Sequence, residues 1–256
     1  MAFGMVTLAT PAMAGEDRLV NSGEKTYTQN VTFEGKSATA TGSSPFGGAI
    51  FNIGFITFGG FATFEGNSVM ATGAHPSGGA ISNYYNASIT FDALATFEGN
   101  SAIATGGSTN GGAISNYKSI AFGGLATFED NSATATDGHS YGGAIHNSGA
   151  STVLTFNDGA QFKNNTTTAT AMEKADGTLA GGYSYGGTIN NSGTITFDAL
   201  ATFEGNSAIA TGGPSQGGAI NNGGANAVVT FNDEAQFKNN TATATAMEKA
   251  DGTLAG

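Results

Sequence analysis

The chain has no cysteine and no tryptophan, only four prolines, and only eight lysines and arginines among 256 residues. Without cysteine there is no disulfide framework and no thiolate metal site. Nineteen acidic residues set against the eight basic ones leave a formal net charge of −11, with the cations scattered. That balance argues against a nucleic-acid partner, which would select a basic face. No apolar run reaches the roughly 18 residues that a membrane-spanning helix needs. Glycine is abundant at 41 residues but keeps no three-residue period, so collagen is excluded.

What is present is repetition. A Gly-Gly pair recurs at Gly47, Gly78, Gly111, Gly142, Gly186 and Gly217, with spacings of 31, 33, 31, 44 and 31 residues. Each pair opens a phrase closed by an asparagine: Asn52, Asn83, Asn116, Asn147, Asn191 and Asn222. A second phrase ends on Phe58, Phe91, Phe122, Phe156, Phe197 and Phe231. A third, Phe-x-x-Asn, begins at Phe64, Phe97, Phe128, Phe162, Phe203 and Phe237, preceded by a variant from Phe33 to Lys36. Self-similarity at this period marks a repeat architecture. Each unit offers three short segments of β-branched or aromatic residues bounded by Gly, Asn or Asp, which is strand-and-turn punctuation with no helical pattern between. The expected fold is all-β: a parallel β-helix with three short strands per coil of about 31–34 residues. Residues repeating once per coil then stack about 4.8 Å apart. Thirteen of the eighteen phenylalanines fall in two such inward columns. The asparagines suit turns, where their amides can bond the equivalent residue one coil away.

Three segments need separate expectations. Residues 1–14 end in Pro11-Ala12-Met13-Ala14 and fit a secretory signal peptide that lacks its basic front end, which would place mature protein from Gly15 outside the cytoplasm. The alternative is a short buried strand capping the array. Residues 15–30 are polar and are expected to form a cap or a disordered lead, with the repeat array running from 31 to 256 and stopping mid-repeat. The insert Ala171 to Gly181 is expected to form one helical turn before Asp176-Gly177 breaks it. Thr155–Gly181 and Thr230–Gly256 differ at only two positions, Gly159 against Glu234 and Thr167 against Ala242.

Alternation of Gly-Gly-Ala-Ile (at 47, 78, 111, 142 and 217, with Gly186-Gly187-Thr188-Ile189) and Phe-x-x-Asn resembles the passenger region of the chlamydial polymorphic membrane proteins and related autotransporters, over residues 30 to 245. The resemblance implies a right-handed β-helix, secreted or displayed at an outer membrane through a translocator not present in these residues, and acting as an adhesin. In that family both tetrapeptides are themselves implicated in adhesion. Lys36 departs from the pattern where Asn is expected.

Candidate chemistry is sparse. Asp92 and Asp198 follow the second strand and Asp158 and Asp233 sit one residue later, all without a recurring Arg, Lys or His beside them, so turn chemistry explains them. A carbohydrate-active enzyme would need carboxylates converging on a groove. His75, His139 and His146 read as solvated loop residues. The Thr column Thr41, Thr72, Thr105, Thr136, Thr170, Thr211 and Thr245 is an ice-binding pattern spoiled by its neighbour column, which mixes Thr39 with Met70 and Ile103. The column Glu34, Glu65, Glu98, Glu129, Lys163, Glu204 and Lys238 is a solvated stripe or, alternatively, a calcium or cationic-partner stripe. Specificity is expected in the segments before each Gly-Gly, with Phe46, His75, Pro76, Tyr141, Tyr183 and Tyr185 as contact residues for a host-cell or neighbouring-cell protein or glycan. The chain reads as a non-enzymatic, adhesin-like passenger with no cofactor. A purely structural spacer is the third alternative.

Overall fold

A computed structural model describes residues 18–255, so the expected signal peptide lies outside the described residues. The chain winds into about seven coils whose equivalent strands pair in parallel, and among the described residues there is no helix. One coil shows the plan. Ile114–Asn116 belongs to sheet A, Ser119–Phe122 to sheet B, Ala126–Glu129 to sheet C and Ser132–Thr136 to sheet D. Ser140–Tyr141 adds a short fifth strand, sheet E, before Gly142-Gly143 returns the chain to sheet A.

Two features differ from the three-strand expectation. The phrase read as one strand, Ala95 to Ala102, is split between Ala95–Glu98 and Ser101–Thr105. The break falls at Gly99, whose φ of 61° is left-handed, and the same position holds Asp130, Asn164 and Asn239 at φ of 54–55°. These are residue types that tolerate that conformation. The left-handed residue is therefore the one before the recurring asparagine. The segment before Gly-Gly, where specificity is expected, is not a free loop but pairs coil to coil as sheet E from Thr109 to Gln216.

The expectation for residues 15–30 also needs correction. Leu19–Asn21 pairs with Ile50–Asn52, and Glu24–Tyr27 pairs with Phe55–Phe58. These strands complete the first coil rather than lying outside the repeat; Tyr27 stands in the phenylalanine column, its ring 5.0 Å from that of Phe58.

Sheets A, B and C enclose the main core. Its columns are in register: Phe91 lies between Phe58 and Phe122, and Phe97 between Phe64 and Phe128. Rings in each column stack with centroids 4.7 to 5.1 Å apart, and the two columns meet edge to face. Fully burying each ring contributes about 1.5–3 kcal/mol, and the stacked and T-shaped contacts add to it.

Asparagine amides line the corners as two buried ladders. In the first, each Nδ2 donates to the Oδ1 one coil on, from Asn21 through Asn52, Asn83, Asn116, Asn147 and Asn191 to Asn222, at 2.8–2.9 Å. The second runs from Asn67 through Asn100, Asn131, Asn165 and Asn206 to Asn240 at 2.8–3.0 Å. Lys36 stands where this ladder ends, and its backbone N–H donates to Asn67 Oδ1.

Sheets D and E form a thinner pair of layers beside the core. Ser140 Oγ donates to Ala133 O and Ser215 Oγ to Ala208 O, both at 2.8 Å, across the two layers. This close approach is why the inward residues of sheet D are mostly alanine, such as Ala102, Ala104, Ala133 and Ala135, rather than phenylalanine.

The insert is a hairpin, not a helical turn. Thr166–Glu173 continues the sheet D strand outward and pairs antiparallel with Leu179–Gly181. The alternation Thr-Ala-Thr-Ala-Met-Glu keeps a two-residue period to the end of the strand, which overrides the local helix preference of the Ala-Met-Glu-Lys-Ala stretch. Asp176 Oδ1 caps the turn by accepting from Thr178 N and Oγ1, which lowers its carboxyl pKa. Its copy, Met247–Glu248 with Leu254–Ala255, forms the same hairpin and sits on the first. Lys249 Nζ donates to Gly177 O, and Ala250 N to Glu173 Oε2, each at 2.7 Å.

Candidate functional site

Side chains alternate along a strand, so the residue between the inward Ile and Asn of sheet A points out of the core. In order along the solenoid these residues are Phe51, Ser82, Ser115, His146, Asn190 and Asn221. Sheet E rises on one side of this row, and the residue after the corner asparagine (Tyr84, Tyr117, Ser148, Ser192, Gly223) rises on the other. The result is a trough running lengthwise.

Its two halves differ. Over the early coils aromatic side chains close it: Phe46 stacks on Phe51 at 5.3 Å, both rings touch Tyr84, and Tyr84 meets Tyr117 at 5.5 Å. Over the later coils it opens into a recess of about 490 Å³, lined by Tyr141, His146, Ser148, Tyr185, Asn190, Ser192, Gln216, Asn221 and Gly223. Tyr141 stacks between its neighbours, 5.2 Å from both the His146 and the Tyr185 ring. Asn221 Nδ2 donates to Asn190 Oδ1 at 2.7 Å across the floor. No carboxylate, lysine or arginine side chain lines the recess. A second hollow of about 560 Å³ is the inner face of the last coil, lined by Ile220, Phe231 and Phe237, the same columns that elsewhere fill the core.

The structure sorts the sequence candidates. Tyr141 and Tyr185 form one wall of the recess, and Phe46 sits in the same column at the closed end. Tyr183 is exposed above them, 4.6 Å from the His139 ring. His75 is exposed, and its Nδ1 accepts from the Ser108 N–H. Pro76 is buried, with its carbonyl accepting from Asn110 N, so it does not face a partner as expected. His146 is the other correction: it is a strand residue, 8% exposed, and not a solvated loop histidine. Sequence reasoning missed the floor. The signal was there, because the floor position is the most variable letter inside a nearly constant phrase, which otherwise changes only at Thr188.

Electrostatics in the recess follow from burial. Desolvation lowers the His146 pKa to about 4 and lowers that of His139 as well. It raises the Tyr141 phenol, as does neighbouring Tyr185. His146 Nδ1 is buried with no hydrogen-bond partner, as are Ser82 Oγ and Ser115 Oγ earlier along the same row. The His146 shift carries a sign. As pH falls, the unfolded chain takes the proton first, near the ordinary histidine value of 6.5, while folded His146 resists until about 4. Its contribution to stability is therefore intact above about pH 6.5 and lost as pH falls towards 4, amounting to on the order of 3 kcal/mol at the acid end. His146→Ser borrows the residue of Ser115 and should flatten the fall in melting temperature across that window. An unchanged profile would assign the acid sensitivity to other groups.

The Glu column is on the opposite side of the coil, in register from Glu34 to Lys238. Lys163 pairs with Glu129 and Lys238 with Glu204, which breaks the run of like charges. Among the described residues no three His, Asp or Glu side chains converge as a metal site. Asp92, Asp158, Asp198 and Asp233 are exposed at the corner between sheets B and C and contribute nothing to the recess.

No curated protein and no solved structure matches the chain. A family model does match, that of the Chlamydia polymorphic membrane protein repeat, over residues 126–148. The matched stretch is the C, D and E strands of one coil and the A strand of the next, carrying Phe128-Glu129-Asp130-Asn131, Gly142-Gly143-Ala144-Ile145 and the trough residues Tyr141 and His146. The chain is a β-solenoid, and its residues 126–148 are similar to the Chlamydia polymorphic membrane protein repeat.

Proposed function

We propose that this solenoid is part of a surface-displayed, non-enzymatic passenger that acts by adhesion, presenting the trough and the sheet E edge to a host or neighbouring cell. The repeat and the fold fit a surface autotransporter passenger. One observation carries the reading: the residues that stack inside are nearly constant from coil to coil, while the trough floor runs Phe, Ser, Ser, His, Asn, Asn and its sheet E wall Phe, Ser, Asn, Tyr, Tyr, Gln. A rigid core with a variable, accessible face is what a scaffold for recognition provides. Binding without turnover is favoured because no carboxylate or cation lines the recess, and glycoside cleavage uses a pair of carboxylates.

The test is adhesion of beads carrying the full chain to epithelial cells. Replacing His139-Ser140-Tyr141 and Tyr183-Ser184-Tyr185 with the plainer Pro214-Ser215-Gln216 should reduce cell binding at least about tenfold, a loss of roughly 1.4 kcal/mol, with the circular dichroism unchanged. No saturable binding by the folded, unaltered chain would favour the structural spacer.

A further inference from the structure

We propose that the open half of the trough is a binding site for a neutral glycan chain, laid lengthwise along the solenoid with Tyr141, Tyr185, His146, Asn190 and Asn221 as its contacts. The inference deepens the adhesin reading and rests on the trough being accessible at a cell surface.

Four observations converge on that chemistry. The lining joins aromatic rings to amides and hydroxyls, with Tyr141, Tyr185 and His146 beside Asn190, Asn221, Gln216, Ser148 and Ser192. Sugars offer the complementary mix of apolar C–H faces and many hydroxyls, and Tyr supplies rigid amphipathic area for both. The lining also holds no charged side chain, in a chain whose formal net charge is −11. A sulfated or phosphorylated ligand would meet no cation there, and a basic peptide no carboxylate. Peptide capture by strand addition needs an unpaired sheet edge, but the trough floor is the side-chain face of sheet A, whose strands are already paired on both sides from Ile50 to Asn191. Finally, the floor has unmet hydrogen-bonding capacity. His146 is more than nine-tenths buried in the lining, with Nδ1 unpartnered. Buried polar atoms are normally satisfied, and a sugar hydroxyl that reached this nitrogen would satisfy it. The volume of about 490 Å³ is that of an ordinary ligand cleft. The recess spans the rows of His146, Asn190 and Asn221, so successive sugars meet successive coils.

The closed half shows how to abolish the site without harming the fold. Tyr84 and Tyr117 occupy the column that holds Ser148 and Ser192 further on. Ser192→Tyr therefore installs a residue this column already accommodates, and its ring would fill the recess. His146→Ser likewise copies Ser115.

The full-length protein and both variants would be applied to an array of neutral oligosaccharides (β-glucan, chitin-type and lactosamine chains), with sulfated and sialylated glycans alongside. The expected result is saturable binding to at least one neutral chain, lost at least about tenfold in Ser192→Tyr and weakened several-fold in His146→Ser, with unchanged melting at pH 7. Binding only to anionic glycans, binding to none, or neutral-glycan binding that survives Ser192→Tyr would each overturn the proposal. Cell adhesion measured on the same samples separates the two readings. Adhesion without neutral-glycan binding sinks the glycan site alone, and glycan binding without adhesion sinks the adhesin reading alone.

Discussion

Replacing Gly112 with alanine should unfold the middle of the array, at a cost beyond the 4–5 kcal/mol that marks exceptional substitutions. A Cβ there would lie 2.0 Å from Gly143 O and 2.5 Å from both the carbonyl carbon and the oxygen of Ser132. All three atoms are backbone: Gly143 O belongs to the next coil and the Ser132 atoms to the facing sheet D strand of the same coil. They cannot retreat without parting the two coils or tearing sheet D from its hydrogen-bonded neighbours. The strain is purely steric, since Gly112 is not among the left-handed residues. Gly99 provides the contrast. It is left-handed, but a Cβ would meet only Gly66 N at 4.0 Å, and the equivalent position already holds Asn164. Gly99→Asn should therefore change stability by less than about 1 kcal/mol. Thermal melts with hydrogen exchange would separate the two. Gly112→Ala should lose protection first in the coils flanking residues 111–143, whereas Gly99→Asn should keep it. Equal melting of both variants would contradict the steric account.

Asn131→Leu should cost about 3–5 kcal/mol although the side-chain volume is nearly kept. Asn131 is fully buried in the middle of its ladder. Its Nδ2 donates to Phe97 O and Asn165 Oδ1, and its Oδ1 accepts from both Asn100 N and Asn100 Nδ2, all at 3.0 Å. Leucine would leave the Asn100 N–H without its acceptor and one hydrogen of the Asn100 amide unpaired, in a place water does not reach. Leaving a buried polar group unsatisfied costs about 1–3 kcal/mol per group. Denaturant unfolding read coil by coil, through hydrogen exchange, is the appropriate measurement because a repeat array need not melt as one unit. A loss below about 1 kcal/mol would mean that the ladder follows from the packing of its neighbours and adds little of its own.

Much of this was legible in the residues, and the reasons differ by element. The parallel solenoid follows from identical residues recurring at one period, because only in-register stacking puts every Phe on a Phe and every Asn on an Asn. Sheet E was hidden because pairing there is by backbone, with Phe46, Ser77, Asn110 and Tyr141 sharing a column and no side-chain type. The first coil was hidden for the opposite reason. Leu19 and Tyr27 do the work of Ile and Phe, so the phrase is kept in shape but not in letters. The hairpin at Ala171 was misread because a helix preference over five residues is weak beside a strand already registered on both sides. The trough escaped because its floor, walls and turn residues lie far apart within each coil and converge only when the coil closes. Its depth depends on sheet E standing proud of sheet A, which no single-strand pattern encodes.

The stacked hairpins carry a consequence for how such a chain can change length. The core repeats every coil, but the hairpin at Ala171 is seated by the one at Met247, two coils on, across a coil that passes between them with only Gly212-Gly213. Residues 155 and 230 begin nearly identical stretches, so the natural unit of duplication or loss is the two-coil block. Gain or loss of a single coil would leave the Phe and Asn columns in order yet bring one hairpin against the wrong neighbour. Recombination between the near-identical stretches moves whole blocks, and so could lengthen or shorten the rod while preserving both periods at once.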